Sequence, residues 1–125
     1  MGTSLKICGF ALILTVPAGV LSCSQSVSNR PDPQVEILKK WTLSRCLSQA
    51  AANTPAGDDA AKTASAYLEM GHAMIEVYEK LDAMAKEYLT RTYTGSVKSP
   101  YDTMKCIDLF ESPELDRIAR DVAKP

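Results

Sequence analysis

A chain of 125 residues with a formal net charge of −1 holds one small domain and offers no basic surface for nucleic acid. Its single histidine excludes a two-histidine metal site. Four cysteines in so short a chain make the compartment in which it folds the next thing to establish.

The N-terminal segment reads as an export signal. Lys6 precedes ICGFALILTVPAGVL, an apolar run too short for a comfortable membrane span and followed by small polar residues. VLSC at positions 20–23 is similar to a bacterial lipoprotein box, although Leu21 stands where that box usually carries a smaller residue. Residues 1–22 are therefore read as a signal peptide. Cleavage falls either before Cys23, which then carries lipid and anchors the chain to a membrane, or beside Ser22 or Ser24. Residues 23–31 form a polar, proline-punctuated tether with too little apolar surface to fold, and residues 32–125 form the folded domain.

Export decides the cysteine arithmetic. Cys8 leaves with the signal and Cys23 lies at the cut, so Cys46 and Cys106 remain in the domain and are read first as a disulfide. A loop of about sixty residues closed in this way contributes roughly 4 kcal/mol in the chain-entropy account, a large share of a small domain's stability.

No stretch of the mature chain alternates apolar and polar residues for long, and its glycines and prolines fall between segments of helical spacing. The expectation is an all-α bundle of about four to five helices with one disulfide. Asp32 and Pro33 form an N-cap and first-turn pair for a helix running to about Ala52. Its face carries Val35, Leu38, Thr42, Leu43, Cys46, Leu47 and Ala50, while Ile37 and Trp41 lie on a different side, facing either more core or a partner. NTPAGDD is the following turn, with Asp58 or Asp59 expected to cap the next helix.

A heptad pattern then places Tyr67, Met74, Leu81 and Tyr88 at one position and Met70, Val77 and Met84 three residues later. It predicts one long helix over 59–91, or two nearly collinear ones broken at Gly71, where a glycine costs about 1 kcal/mol relative to alanine. This methionine and tyrosine stripe reads as core, or in part as a homodimer seam. Residues 91–102, RTYTGSVKSPYD, interrupt the pattern with Gly95 and Pro100 and form a long exposed loop, a place where function often resides. A short helix over Met104 to Phe110 follows. Ser112 and Pro113 start another, with Leu115, Ile118, Ala119 and Val122 as its buried stripe.

Catalytic chemistry finds little to stand on. The lone His72 has no second histidine for a metal, a cysteine–histidine pair would have to recruit a cysteine that export favours oxidising, and no phosphate cradle, serine elbow or paired CxxC occurs. Asp58 and Asp59, and Glu114 and Asp116, sit near predicted helix N-termini, where the helix dipole accounts for them. No catalytic, metal or cofactor-binding residue is assigned, and binding is the expected mode of action.

LSRCL (43–47), ASAYLEMG (64–71), YTGSVKSPYD (93–102) and MKCIDLFESPELDRIAR (104–120), in this order and spacing, resemble the type VI secretion system amidase immunity proteins, in the group that neutralises the fourth amidase effector family. The resemblance covers most of the mature chain. It implies a small helical periplasmic protein, not an enzyme, that occupies the cleft of a peptidoglycan amidase cutting the peptide stem between γ-D-glutamate and diaminopimelate. It also implies a homodimer that joins the effector in a heterotetramer, with a loop of one subunit entering the cleft. Carried onto this chain, that loop is Tyr93, Thr94, Gly95, Ser96, Val97, Lys98, Ser99 and Tyr101, with Tyr93, Val97 and Tyr101 as apolar anchors and Lys98 facing the cleft edge. The family's paired cysteines match Cys46 and Cys106. Two other classes compete: an exported disulfide-bridged helical chaperone or stress protein, which this chain's modest charge disfavours, and a cysteine hydrolase, which requires a free Cys106 thiol.

Overall fold

The structure is a computed structural model that describes residues 31–124. The signal peptide, Cys23 and most of the tether lie outside the described residues. Within them the chain forms α1 (Pro33–Ala50), α2 (Pro55–Met70), α3 (Ile75–Thr90), α4 (Asp102–Glu111) and α5 (Pro113–Ala123), and no strand.

Three of these helices begin with a polar side chain followed by proline. Asp32 accepts a hydrogen bond from the Gln34 amide at 2.8 Å, Thr54 from Gly57 at 3.1 Å and Ser112 from Leu115 at 3.2 Å, each ahead of a proline whose missing N–H costs nothing in a first turn. Thr54, not Asp58 or Asp59, is therefore the cap of α2. The two aspartates stand exposed in its opening turns, where the dipole favours negative charge without any need for a capping bond.

The central element is α1, which touches all four other helices. This explains why its second apolar side is also covered: Trp41 is buried and meets Tyr78 of α3 edge to face, with ring centroids 4.9 Å apart. The hydroxyl of the fully buried Thr42 is satisfied within the helix by the Leu38 carbonyl at 2.8 Å. Against α1, α2 packs with small residues. Ala64 is buried, and Gly57 lies so close to the Ala51 carbonyl that a β-carbon has no room.

The heptad expectation fails at Gly71. The chain turns over Gly71–Met74, and α3 returns along α1 rather than continuing α2. Gln34, in the first turn of α1, sets this reversal. Its side-chain amide donates to the Met70 carbonyl at 3.3 Å, and its carbonyl oxygen accepts from the His72 amide at 3.0 Å. At the far end of α1, Asp82 of α3 accepts from Arg45 and Gln49, so α2 runs against α1 and α3 runs with it. Tyr78 places its hydroxyl against Gly71 and leaves no space there for a side chain. In consequence the stripe divides. Leu81, Met84 and Tyr88 are core, whereas Met70 and Met74 are exposed.

Asp82 is the polar tie between α1 and α3. Its Oδ1 accepts from Arg45 Nε and Gln49 Nε2, both at 2.8 Å, and its Oδ2 pairs with Lys86 Nζ at 2.8 Å. Burial alone raises this carboxyl, but the hydrogen bonds and charges of Lys86 and Arg45 outweigh it and hold it below the ordinary carboxylate value. A carboxyl depressed by folding contributes stability above its unfolded pKa, about 4, and loses it as pH falls through the folded value. Asp82→Asn is expected to cost about 1–2 kcal/mol at neutral pH. Denaturant melts should show that cost shrinking below about pH 4. A cost that stays constant into acid would mean that the charge is not its source.

Candidate functional site

The link between α3 and α4 runs from Arg91 to Tyr101 and is the longest among the described helices. Three devices hold it. Tyr93 is half-buried and donates its hydroxyl to Asp108 Oδ2 at 2.5 Å, in the second turn of α4. Burial and the adjacent Asp108 carboxylate act on this phenol in the same direction. The hydrogen bond to Asp108 is the larger cause, and together they push its pKa up.

Tyr101 closes the other end. Its backbone is left-handed, with φ 57° and ψ 32°, its amide donates to Ser99 Oγ at 3.3 Å, and its hydroxyl donates back to the Val97 carbonyl inside the loop. Gly95 packs directly beneath that hydroxyl, where a β-carbon would collide. The left-handed residue turns the chain into α4, and the tyrosine lines the loop's own concavity, a hollow of about 280 Å³.

The third device is the disulfide. Cys46 and Cys106 are bonded, with Cα atoms 5.6 Å apart, and neither sulfur reaches solvent. The bond joins the C-terminal third of α1 to the middle of α4, the helix that follows the loop. Because Cys106 sulfur is consumed in it, the free thiol that a cysteine hydrolase requires does not exist.

The candidate loop residues therefore divide by what they touch. Tyr93 and Tyr101 are turned inward and hold the loop's shape, so they are not the free aromatic anchors expected from composition. Thr94, Gly95, Ser96, Val97, Lys98 and Ser99 are exposed, and Val97, at 67% exposure, is an uncovered aliphatic side chain at the tip. Sequence reasoning passed over Lys105, a buried lysine at the loop's base, because a lysine between Met104 and Cys106 carries no mark of burial. His72 is exposed in the turn between α2 and α3.

A second feature lies on that turn. Leu68, Met70, Met74 and Ile75 form an exposed apolar corner, beside a groove of about 300 Å³ lined by Trp41, Ala64, Tyr78 and the Arg45 to Asp82 pair. Among the described residues no group of His, Cys, Asp and Glu is arranged to hold a metal ion, and no helix is long and apolar enough to cross a membrane.

Comparison with known proteins adds an independent observation. The family model for type VI secretion system (T6SS) amidase immunity proteins matches residues 36–119, a span that includes both bonded cysteines and the whole loop. Among solved structures, the chain is similar to one of the effector–immunity system Tae4/Tai4 from Salmonella typhimurium, at 42% identity over 71% of this chain and 88% of that one, with a TM-score of 0.66. It is also similar to one of a Serratia marcescens set of type VI-secreted toxins and self-resistance proteins, at 29% identity over 92% of this chain and 88% of that one, TM-score 0.64. A third is the Tae4–Tai4 effector–immunity complex from Enterobacter cloacae, at 25% identity over 71% and 91%, TM-score 0.63. No curated protein matches the sequence.

The disulfide carries a direct expectation. Replacing the pair by Cys46→Ala/Cys106→Ala should lower stability by about 2–5 kcal/mol, read by denaturant unfolding of oxidised protein. An unchanged unfolding midpoint would mean that α4 is held by packing alone.

Proposed function

The chain belongs to the type VI secretion system amidase immunity family, and from that premise we propose that it protects its own cell by binding an amidase effector and filling the effector's active-site cleft. Its similarity to Tai4 proteins found in effector–immunity complexes with Tae4 supports this reading. The observation that carries the mode of binding is the loop itself. It is long, exposed over Thr94–Ser99 and tied down at both ends, the shape of a plug formed before it meets its target.

Inhibition on this reading is occupation, not chemistry. Val97 supplies an apolar contact at the tip, and Lys98 supplies a cation for an acidic or carbonyl-lined cleft edge. Residues 1–22 direct export to the periplasm, where the effector acts on peptidoglycan, and residues 23–31 tether the domain of residues 32–125. The lipoprotein route adds a lipid anchor at Cys23. The active unit is a homodimer that takes up two effectors. The exposed corner of Leu68, Met70, Met74 and Ile75 supports that stoichiometry, since a second copy covers side chains that a monomer leaves in water.

One set of measurements tests these points together. A stoichiometric amount of the mature protein should abolish peptidoglycan hydrolysis by its cognate amidase, and removing Thr94–Ser99 should restore hydrolysis while leaving helicity and melting nearly intact. Hydrolysis that continues in the presence of the intact chain would sink the proposal. Light scattering on the same mixture should give the mass of two chains with two effectors. A one-to-one mass would remove the dimer and leave occlusion standing.

A further inference from the structure

Lys105 is 5% exposed, so its ammonium sits in the protein rather than in water. Burial of a charge of this kind is unfavourable unless every donor is answered, and an aliphatic side chain would fill the same space without that penalty. The partners explain its presence. Nζ donates to the Leu89 carbonyl at 3.0 Å, in the last turn of α3, and to Asp102 Oδ1 at 2.9 Å, in the first turn of α4. The face of the Tyr93 ring lies 5.9 Å from the same nitrogen.

The placement of these partners is specific. Leu89 precedes the loop and Asp102 follows it, so one side chain bridges both roots of an eleven-residue connection running from Arg91 to Tyr101. The Leu89 carbonyl is one that α3 itself leaves without a partner, and it lies at the negative end of that helix, where a cation is favoured. Asp102, Lys105 and Asp108 follow one another at three-residue spacing along α4, and all three engage the loop or its roots, Asp108 through Tyr93. Cys106, next to Lys105, fixes this helix to α1.

We propose that Lys105 is a positioning residue for effector binding: by clamping the end of α3 to the start of α4, it keeps the loop in its binding-competent form before the effector arrives. The inference rests on reading this loop as the inserted element. Where only a fraction of molecules hold the competent form, apparent affinity falls by that fraction, and the loss appears in the association rate.

The test compares Lys105→Met and Asp102→Asn with a control, Lys39→Met, which removes a buried-side ion pair to Asp116 of α5 and touches nothing in the loop. Binding of the cognate amidase is followed by surface plasmon resonance, and amide exchange of residues 93–101 is measured in the free proteins. Lys105→Met and Asp102→Asn should slow association about tenfold with little change in dissociation, and should speed loop exchange, while Lys39→Met does neither. Should Lys105→Met fail to fold, Asp102→Asn decides alone. The variant Val97→Ser/Lys98→Ser separates the two layers of the claim. If it loses binding while both clamp variants bind as wild type does, the clamp is overturned and the loop reading stands. If it binds as wild type does, the loop reading falls and the clamp falls with it.

Discussion

Cys46 and Cys106 lie wholly inside the protein, and the bond between them joins the helix that every other helix packs on to the helix that carries the loop's grip. Helix α4 has ten residues, too few for a helix to persist on its own propensity. Its fully buried apolar contribution, Leu109 beside Cys106, is small. A covalent tie to α1 removes the freedom such a short element would otherwise have. Sixty residues separate the cysteines, and within that interval lie α2, α3 and the loop, so the bond closes the fold around them.

The loop inherits its order from that tie. Tyr93 of the loop reaches Asp108 of α4, and Lys105 of α4 reaches the Leu89 carbonyl at the end of α3, so a helix free to move would carry the loop with it. Two tyrosines and a glycine are spent on shape: Tyr93 on the flank, Tyr101 in the concavity and Gly95 beneath it. On the proposed reading, what remains for the effector is the small exposed stretch Thr94–Ser99, polar apart from Val97. A short segment of this kind gains affinity chiefly by not having to be ordered on binding. Interior bonds and exterior display are thus two halves of one arrangement.

Much of this was legible from local chemistry. The pairs Asp32-Pro33 and Ser112-Pro113 marked helix starts because a capping oxygen and a proline act within one turn, and the cysteine pairing followed from compartment and count. Thr54-Pro55 carried the same signature but was outweighed by the acidic pair that follows it, since charge near an N-terminus and a true cap look alike without coordinates. The heptad run across Gly71 misled for a physical reason: periodicity records which residues seek burial, not whether the chain reverses between them. That reversal depends on Gln34, some 36 residues away from Met70 in sequence, and on Tyr78 packing over the glycine. Trp41 and Lys105 were opaque for the same cause. Each is defined by a partner on another helix, Tyr78 in one case and the Leu89 carbonyl in the other.

On the proposed reading, a preformed loop, held from behind by the bonded helices, is the part of this protein that an amidase effector covers. Hydrogen exchange of the oxidised mature chain, alone and with its cognate amidase, tests this most directly. The strongest new protection is expected within residues 93–101, with the amides of α1 around Cys46 already slow in the free chain. Protection gained elsewhere, with the loop exchanging as it does alone, would contradict it.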